Sequence, residues 1–343
     1  MQKIVLVHDP KYQNWIFDSA HPTQGRRFEI AKQEIVRKAA KTQLVQLEII
    51  APRAATEQEL LQVHTLDYIN TVLIKGESGE WAGSKPELAE LAQLFTGGTL
   101  VALEALMKGV STLSVNLAGA KHHAMQNYSS GFCVFNDFAI AAKIAQQHGY
   151  KVAIFDLDAH HGDGTEELLR TDPILTYSVH DATIFPGTGM RSDPNQLVFN
   201  KPLAAGAGDK ELDSAVSEFI EAAQKFGATM IFIACGADGH ALDPLSTLNY
   251  SVNGIASAVA QIRSSFLELP MLIGGAGGYQ PDTFTPEIWS NAVLAAGTVI
   301  RVQTKRHYWN LAGIDLDDDQ QLEDLYDAII DTLTKTQEEK EES

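Results

Sequence analysis

Directly after the apolar run KVAIF (151–155) the chain reads DLDAHHGDGTEE (156–167), with three aspartates and two histidines inside eight residues. If KVAIF is a strand, alternate residues share a face, so Asp156, Asp158 and His160 stand on one side at its end. Carboxylate oxygen beside imidazole nitrogen suits zinc or another borderline divalent ion. A third ligand must come from elsewhere. Asp238, in the GAD turn after the apolar run TMIFIAC (229–235), occupies the matching place on another strand. Three protein ligands with an open position describe a catalytic metal site rather than a structural one. An isolated D-x-H equally suits acids that cap a helix, and Asp238 is what favours the metal. Spacing alone leaves open whether the site holds one ion or two.

Further chemistry-bearing residues gather in other short stretches. His122-His123 sets two imidazoles side by side, each needing an orienting partner before it can move a proton. Tyr279 follows the glycine run GGAGG, where backbone passes close to a ligand and a phenol can donate to a developing oxyanion.

These residues need a scaffold, and the chain supplies a regular one. Short apolar runs recur at 3–7, 44–50, 112–117, 151–157, 174–179, 229–235 and 270–275, and segments of helical periodicity lie at 86–109, 136–148, 211–226, 252–267 and 286–302. Strand alternating with helix predicts an α/β fold with a mainly parallel central sheet covered by helices on both faces. In such sheets ligands sit outside the carboxyl ends of the strands. GAKHHAMQNYSSGFCVFND, DLDAHHGDG, CGADGHALDP and GGAGGYQ all fall at such ends. No linker divides the 343 residues, so a single catalytic domain is expected over 1–335, followed by a charged tail at 336–343.

Composition narrows the partners. Against 44 Asp plus Glu stand 26 Lys plus Arg, a formal net charge of −18, which repels nucleic-acid phosphates. Two cysteines without paired spacing argue against a disulfide framework or thiolate zinc site. The start is too soon interrupted by charge for a secretory signal, and no apolar run is long enough for a membrane span. A cytoplasmic protein with no membrane or nucleic-acid partner is expected.

Taken in order, these stretches resemble the histone deacetylase family, which includes bacterial deacetylase-like amidohydrolases and acetylpolyamine amidohydrolases. The resemblance spans about residues 3–300. It rests on Asp156–Gly164 as D-x-D-x-H-H-G-D-G, Gly236-Ala237-Asp238 with Asp243-Pro244, His122-His123 with Gly131-Phe132-Cys133, Gly274–Tyr279, and in part His21-Pro22 with Arg27. It implies an arginase/deacetylase-like fold and one Zn²⁺ on Asp158, His160 and Asp238. It further implies that His122 pairs with Asp156 and His123 with Asp163, that His123 is the base, and that Tyr279 stabilises the oxyanion. Gly131, Phe132, Phe185, Leu245 and Gly277 are then expected to shape the acyl-lysine tunnel. A structural K⁺ is implied at Asp156, Ser178 and the carbonyls of Asp158, His160 and Val179. Arginases share the fold and hold two manganese ions, but the carboxylates expected for a second ion are replaced here by Gly162 and His240.

The expected activity is zinc-dependent hydrolysis of N6-acyl-lysine in proteins or peptides. An acetylpolyamine amidohydrolase, a two-metal ureohydrolase and a non-catalytic acyl-lysine binding module are the alternatives. Leu245, where a Glu would favour a cationic polyamine, tilts the substrate towards acyl-lysine. Two departures from the family pattern stand out. Lys121 precedes the His pair, where glycine or an apolar residue is usual, and either raises the local positive potential or points to solvent. Residues 76–86 form only a short loop, with no long dimerisation insertion, and the oligomeric state stays open.

Overall fold

All seven apolar runs become strands, and an eighth joins them. They are β1 (Gln2–Val7), β2 (Val45–Ile50), β3 (Leu113–Asn116), β4 (Val152–Asp156), β5 (Leu175–Asp181), β6 (Val198–Leu203), β7 (Met230–Ala234) and β8 (Met271–Gly274). In this computed structural model, which describes residues 2–42 and 44–311, they form one sheet in the order β2-β1-β3-β8-β7-β4-β5-β6. Every neighbouring pair is parallel. Strands β3, β4, β5, β7 and β8 are buried along their whole length. Both of their faces are covered, which is why they read as continuous apolar runs rather than alternating ones.

The helices are α1 (Arg26–Thr42), α2 (Glu57–Leu60), α3 (Leu66–Leu73), α4 (Pro86–Met107), α5 (Asp137–Gln147), α6 (Asp163–Leu169), α7 (Asp209–Phe226), α8 (Val252–Ser265) and α9 (Phe284–Leu311). They pack in two chains around the sheet: α7 on α8, α8 on α9 and α9 on α1, and separately α3 on α4, α4 on α5 and α5 on α6. The five periodic segments of the sequence correspond to α4, α5, α7, α8 and α9. Helix α1 and strand β6 lie outside the predicted set. β6, VFNKPL, is an edge strand whose middle residues are only half-buried, so it needs no apolar alternation and tolerates Pro202. The boundary drawn at 335 and the tail at 336–343 lie outside the described residues.

What the fold does for the site follows from strand order. β3, β8, β7 and β4 are consecutive in the sheet, although they are far apart in sequence. Their carboxyl ends therefore set the four chemically loaded stretches side by side.

Candidate active site

β4 ends at Asp156, and the next turn carries Asp158 and His160, both buried. β7 ends at Ala234, and its turn carries Asp238, with no exposed surface. One ligand atom each from Asp158, His160 and Asp238 fall within 4.8 Å of one another. His160 Nδ1 lies 2.9 Å from Asp238 Oδ2 and 3.1 Å from Asp158 Oδ1. The remaining oxygens are held by backbone. Asp238 Oδ1 accepts from Ala159 N at 2.9 Å, and Asp158 Oδ2 accepts from Gly277 N, beyond β8, at 2.6 Å. Three turns from three adjacent strands are thus locked together at the triad. Trp289, on α9, reinforces them by donating from Nε1 to Cys235 O and Gly275 O.

The electrostatics ask for a cation in this spot. Burial works against charge on His160, yet Asp158 and Asp238 raise its pKa to about 11. An imidazole nitrogen facing two buried carboxylates must carry a proton or yield to a metal ion, and the set matches the oxygen-and-nitrogen preference of zinc. The residues therefore fit the group the sequence implies.

Gly162 bears on the number of ions. A Cβ added there would overlap Asp156 Oδ2 and lie 3.3 Å from His122 Nδ1. The space that a second-metal carboxylate would enter is filled by the His122–Asp156 pair.

Both histidines of the tandem pair are buried, with ring centres 4.0 Å apart. His122 Nδ1 lies 2.6 Å from Asp156 Oδ2, and His123 Nδ1 lies 2.7 Å from Asp163 Oδ1. Similar rings thus have separate aspartates, but their proton affinities diverge. For His122 burial opposes the charge, and Asp156 and Asp158 overcome it, raising the pKa to about 9. For His123 burial, and then the charge on His122, lower it to about 4. The two aspartates thus favour a proton on His122 and burial disfavours one on His123.

Tyr279 donates its backbone N–H to Asp243 Oδ2 at 2.7 Å, and Asp243 Oδ1 accepts from Leu245 N at 3.0 Å. Leu245 is half-buried and reaches the site through this aspartate. Burial, then Asp238 and Asp158, hold the Tyr279 phenol protonated, well above its ordinary range. Phe132 has its ring centre 5.9 Å from that of Tyr279, and Phe185 lies 5.1 Å from His123. Phe185 is 50% exposed, as the outer wall of an open channel would be. Gly131 leads into Phe132 directly beside the His123 ring. At the implied potassium site, Asp156 and Ser178 are register partners on β4 and β5, and Ser178 Oγ lies 3.0 Å from His180 Nδ1.

Lys121 does not point to solvent: it is 6% exposed, with its Nζ among aromatic rings. Several contributors were not assigned roles from sequence. Glu80 accepts from Phe132 N at 2.8 Å and fixes the tunnel wall from the 76–86 loop. Asp137 accepts from Ala120 N and Lys121 N and sets the entry to the His pair. Arg27 is buried and donates to Gly278 O beside Tyr279. Asp137 stands in the F-N-D run after G-F-C, a signal open to reading, whereas nothing local marks Glu80.

Comparison with known proteins identifies the family. The family profile described as "Histone deacetylase domain" matches residues 21–296. The chain is 31% identical over 320 residues to "Acetoin utilization protein AcuC" of Bacillus subtilis, covering 86% of this chain and 82% of that one. It is 29% identical over 300 residues to "Histone deacetylase clr6" of Schizosaccharomyces pombe, covering 81% and 73%. The AcuC of a Staphylococcus aureus strain is 27% identical over 321 residues, with 86% and 82% covered. A parallel sheet whose four central strands bring a buried Asp-His-Asp triad to a tandem histidine pair is thus joined to a profile match along most of the chain, which belongs to the histone deacetylase family of hydrolases.

Proposed function

We propose that this chain removes acyl groups from N6-acyl-lysine in proteins or peptides, using one zinc ion held by Asp158, His160 and Asp238. The observation that carries the reading is the tandem histidine pair, each ring oriented by its own aspartate, beside the buried Asp-His-Asp triad. Phe132 and Phe185 hold the aliphatic stem of the lysine between aromatic faces. An ion bound by the triad would polarise the scissile carbonyl and acidify a water. His123, neutral and oriented by Asp163, takes the proton from that water and delivers it to the departing lysine nitrogen. His122, paired with Asp156, stabilises the negative charge that develops. The Tyr279 hydroxyl donates to the oxyanion. Potassium, held by Asp156, Ser178 and the carbonyls of Asp158, His160 and Val179, would brace the turn that carries the zinc ligands.

The substrate class draws on two points. One relative carries the name histone deacetylase, and Leu245 provides no carboxylate for a polyamine ammonium. Rates on acetyl-lysine peptides and on N-acetylputrescine test this directly. Turnover of the peptides with little of the polyamine is expected, and turnover of the polyamine alone would overturn the substrate assignment.

A further inference from the structure

The loop from Ile16 to Gln24 is closed on itself. Ile16 and Gln24 form an antiparallel bridge, and Gln24 Nε2 donates to His21 O at 2.6 Å and to Asp18 O at 3.3 Å. Asp18 Oδ1 accepts from Ala20 N at 2.8 Å, and Asp18 O accepts from His21 N at 3.3 Å. The tip, Asp18 to Ala20, is exposed, whereas His21 is half-buried. The loop thereby sets the His21 imidazole against the proposed tunnel wall. Its ring centre lies 4.6 Å from that of Phe132, edge on, and 4.7 Å from that of Phe17.

The bonds of His21 settle its tautomer. Nδ1 accepts from Thr23 N at 3.1 Å, so the neutral ring carries its proton on Nε2. Burial holds the pKa below its ordinary value, against the pull of Asp18, which favours that neutral form. Nε2 has no hydrogen-bond partner among the described residues and is not a buried atom, so its N–H is open to solvent. Neighbouring donors are already engaged: Lys85 Nζ with Phe17 O, and Arg26 with Asp282 and Gln24 Oε1. A neutral N–H at the tunnel mouth can take only an acceptor. A peptide main chain brings carbonyl oxygens there, whereas the ammonium tail of an acylated polyamine brings donors alone.

We propose that His21 is a specificity-determining residue, whose Nε2–H donates to a main-chain carbonyl of the acyl-lysine peptide at the tunnel mouth. The proposal rests on the acyl-lysine reading and deepens it. The contact is blind to the side chains that flank the lysine, and it separates peptides from free acylated amines. Because His21 also packs on Phe132, the donor and the wall it stands on are positioned together.

The test compares an acetyl-lysine peptide with N-acetylcadaverine, which has the same acyl group and carbon stem but no main-chain carbonyl. His21→Phe keeps a ring on Phe132 and removes the donor. It should lower kcat/KM on the peptide by about fivefold relative to N-acetylcadaverine, chiefly through KM, as loss of one hydrogen bond would give. His21→Gln, which retains an N–H donor, should hold the ratio closer to that of the wild type. Thermal midpoints identify a variant that fails to fold, and His21→Gln against His21→Leu then reads the same ratio. A ratio that His21→Phe leaves unmoved overturns the proposal while the deacylase reading stands. That includes an equal loss on both substrates, which would assign His21 to the wall alone. Failure of the wild-type chain on the peptide defeats both.

Discussion

Among the described residues, Tyr279 is anchored by its backbone, through Asp243, and not by its hydroxyl. Its ring is braced by Phe132 and by the Arg27 guanidinium, so the phenol can be removed without disturbing the wall it belongs to. Tyr279→Phe should therefore lower kcat by about 10²–10³-fold, the usual cost of losing an oxyanion donor, with little change in KM or thermal midpoint. Steady-state kinetics on an acetyl-lysine peptide would check this, and an unaltered kcat would remove Tyr279 from the mechanism. Residue identity was the most legible level of this protein. Asp158, His160 and Asp238 could be paired from sequence because each closes an apolar run with a short acidic turn. Lys121 was not legible, because an ammonium beside catalytic residues suits a solvent-facing side chain as well as a buried one. Only the rings of Phe28 and Phe95 around it decide the matter.

The His pair is held by elements well beyond its own loop. Asn136, at the N-terminus of α5, accepts from Ala139 N and donates from Nδ2 to His122 O and Ala124 O. Asn136 N in turn donates to His64 Nε2 at 3.0 Å, while His64 Nδ1 donates to Met125 O at 3.0 Å. This network requires the neutral imidazole, since a proton on Nε2 would face the Asn136 N–H. Burial accordingly lowers the His64 pKa from an ordinary 6.5 to about 4. The unfolded chain binds this proton first, so the stabilisation is complete above pH 6.5 and is lost as pH falls towards 4. Its size is roughly 3 kcal/mol. Urea unfolding of the wild type and His64→Gln should differ most near neutral pH and converge by pH 4; a constant gap across that range would contradict the assignment. The elements themselves were read well where burial is complete, as in β3, β4, β7 and β8. β6 escaped because an edge strand does not need an apolar pattern, and α1 because its buried face is interrupted by small alanines such as Ala31 and Ala39.

At the scale of the whole molecule, the decisive fact is an order that no local pattern contains. Sequence places the loaded turns at strand ends, but it does not say that β3, β8, β7 and β4 are neighbours. Once they are, residues from 122 to 279 meet in one buried site, and α9 ties two of the turns through Trp289. Among the described residues no helix is long and apolar enough to cross a membrane, in line with the composition. The formal net charge of −18 suits a lysine-rich peptide partner better than a nucleic acid. The single-ion reading unites these levels: Gly162 at the residue scale, the closed His122–Asp156 pair at the element scale, and a triad drawn from two of the central strands. Metal titration of the stripped protein, followed by acetyl-lysine peptide hydrolysis, tests it most directly. Activity should be absent without metal and reach its plateau at one zinc per chain. A plateau that requires two ions per chain, or hydrolysis that persists in the metal-free protein, would contradict the account.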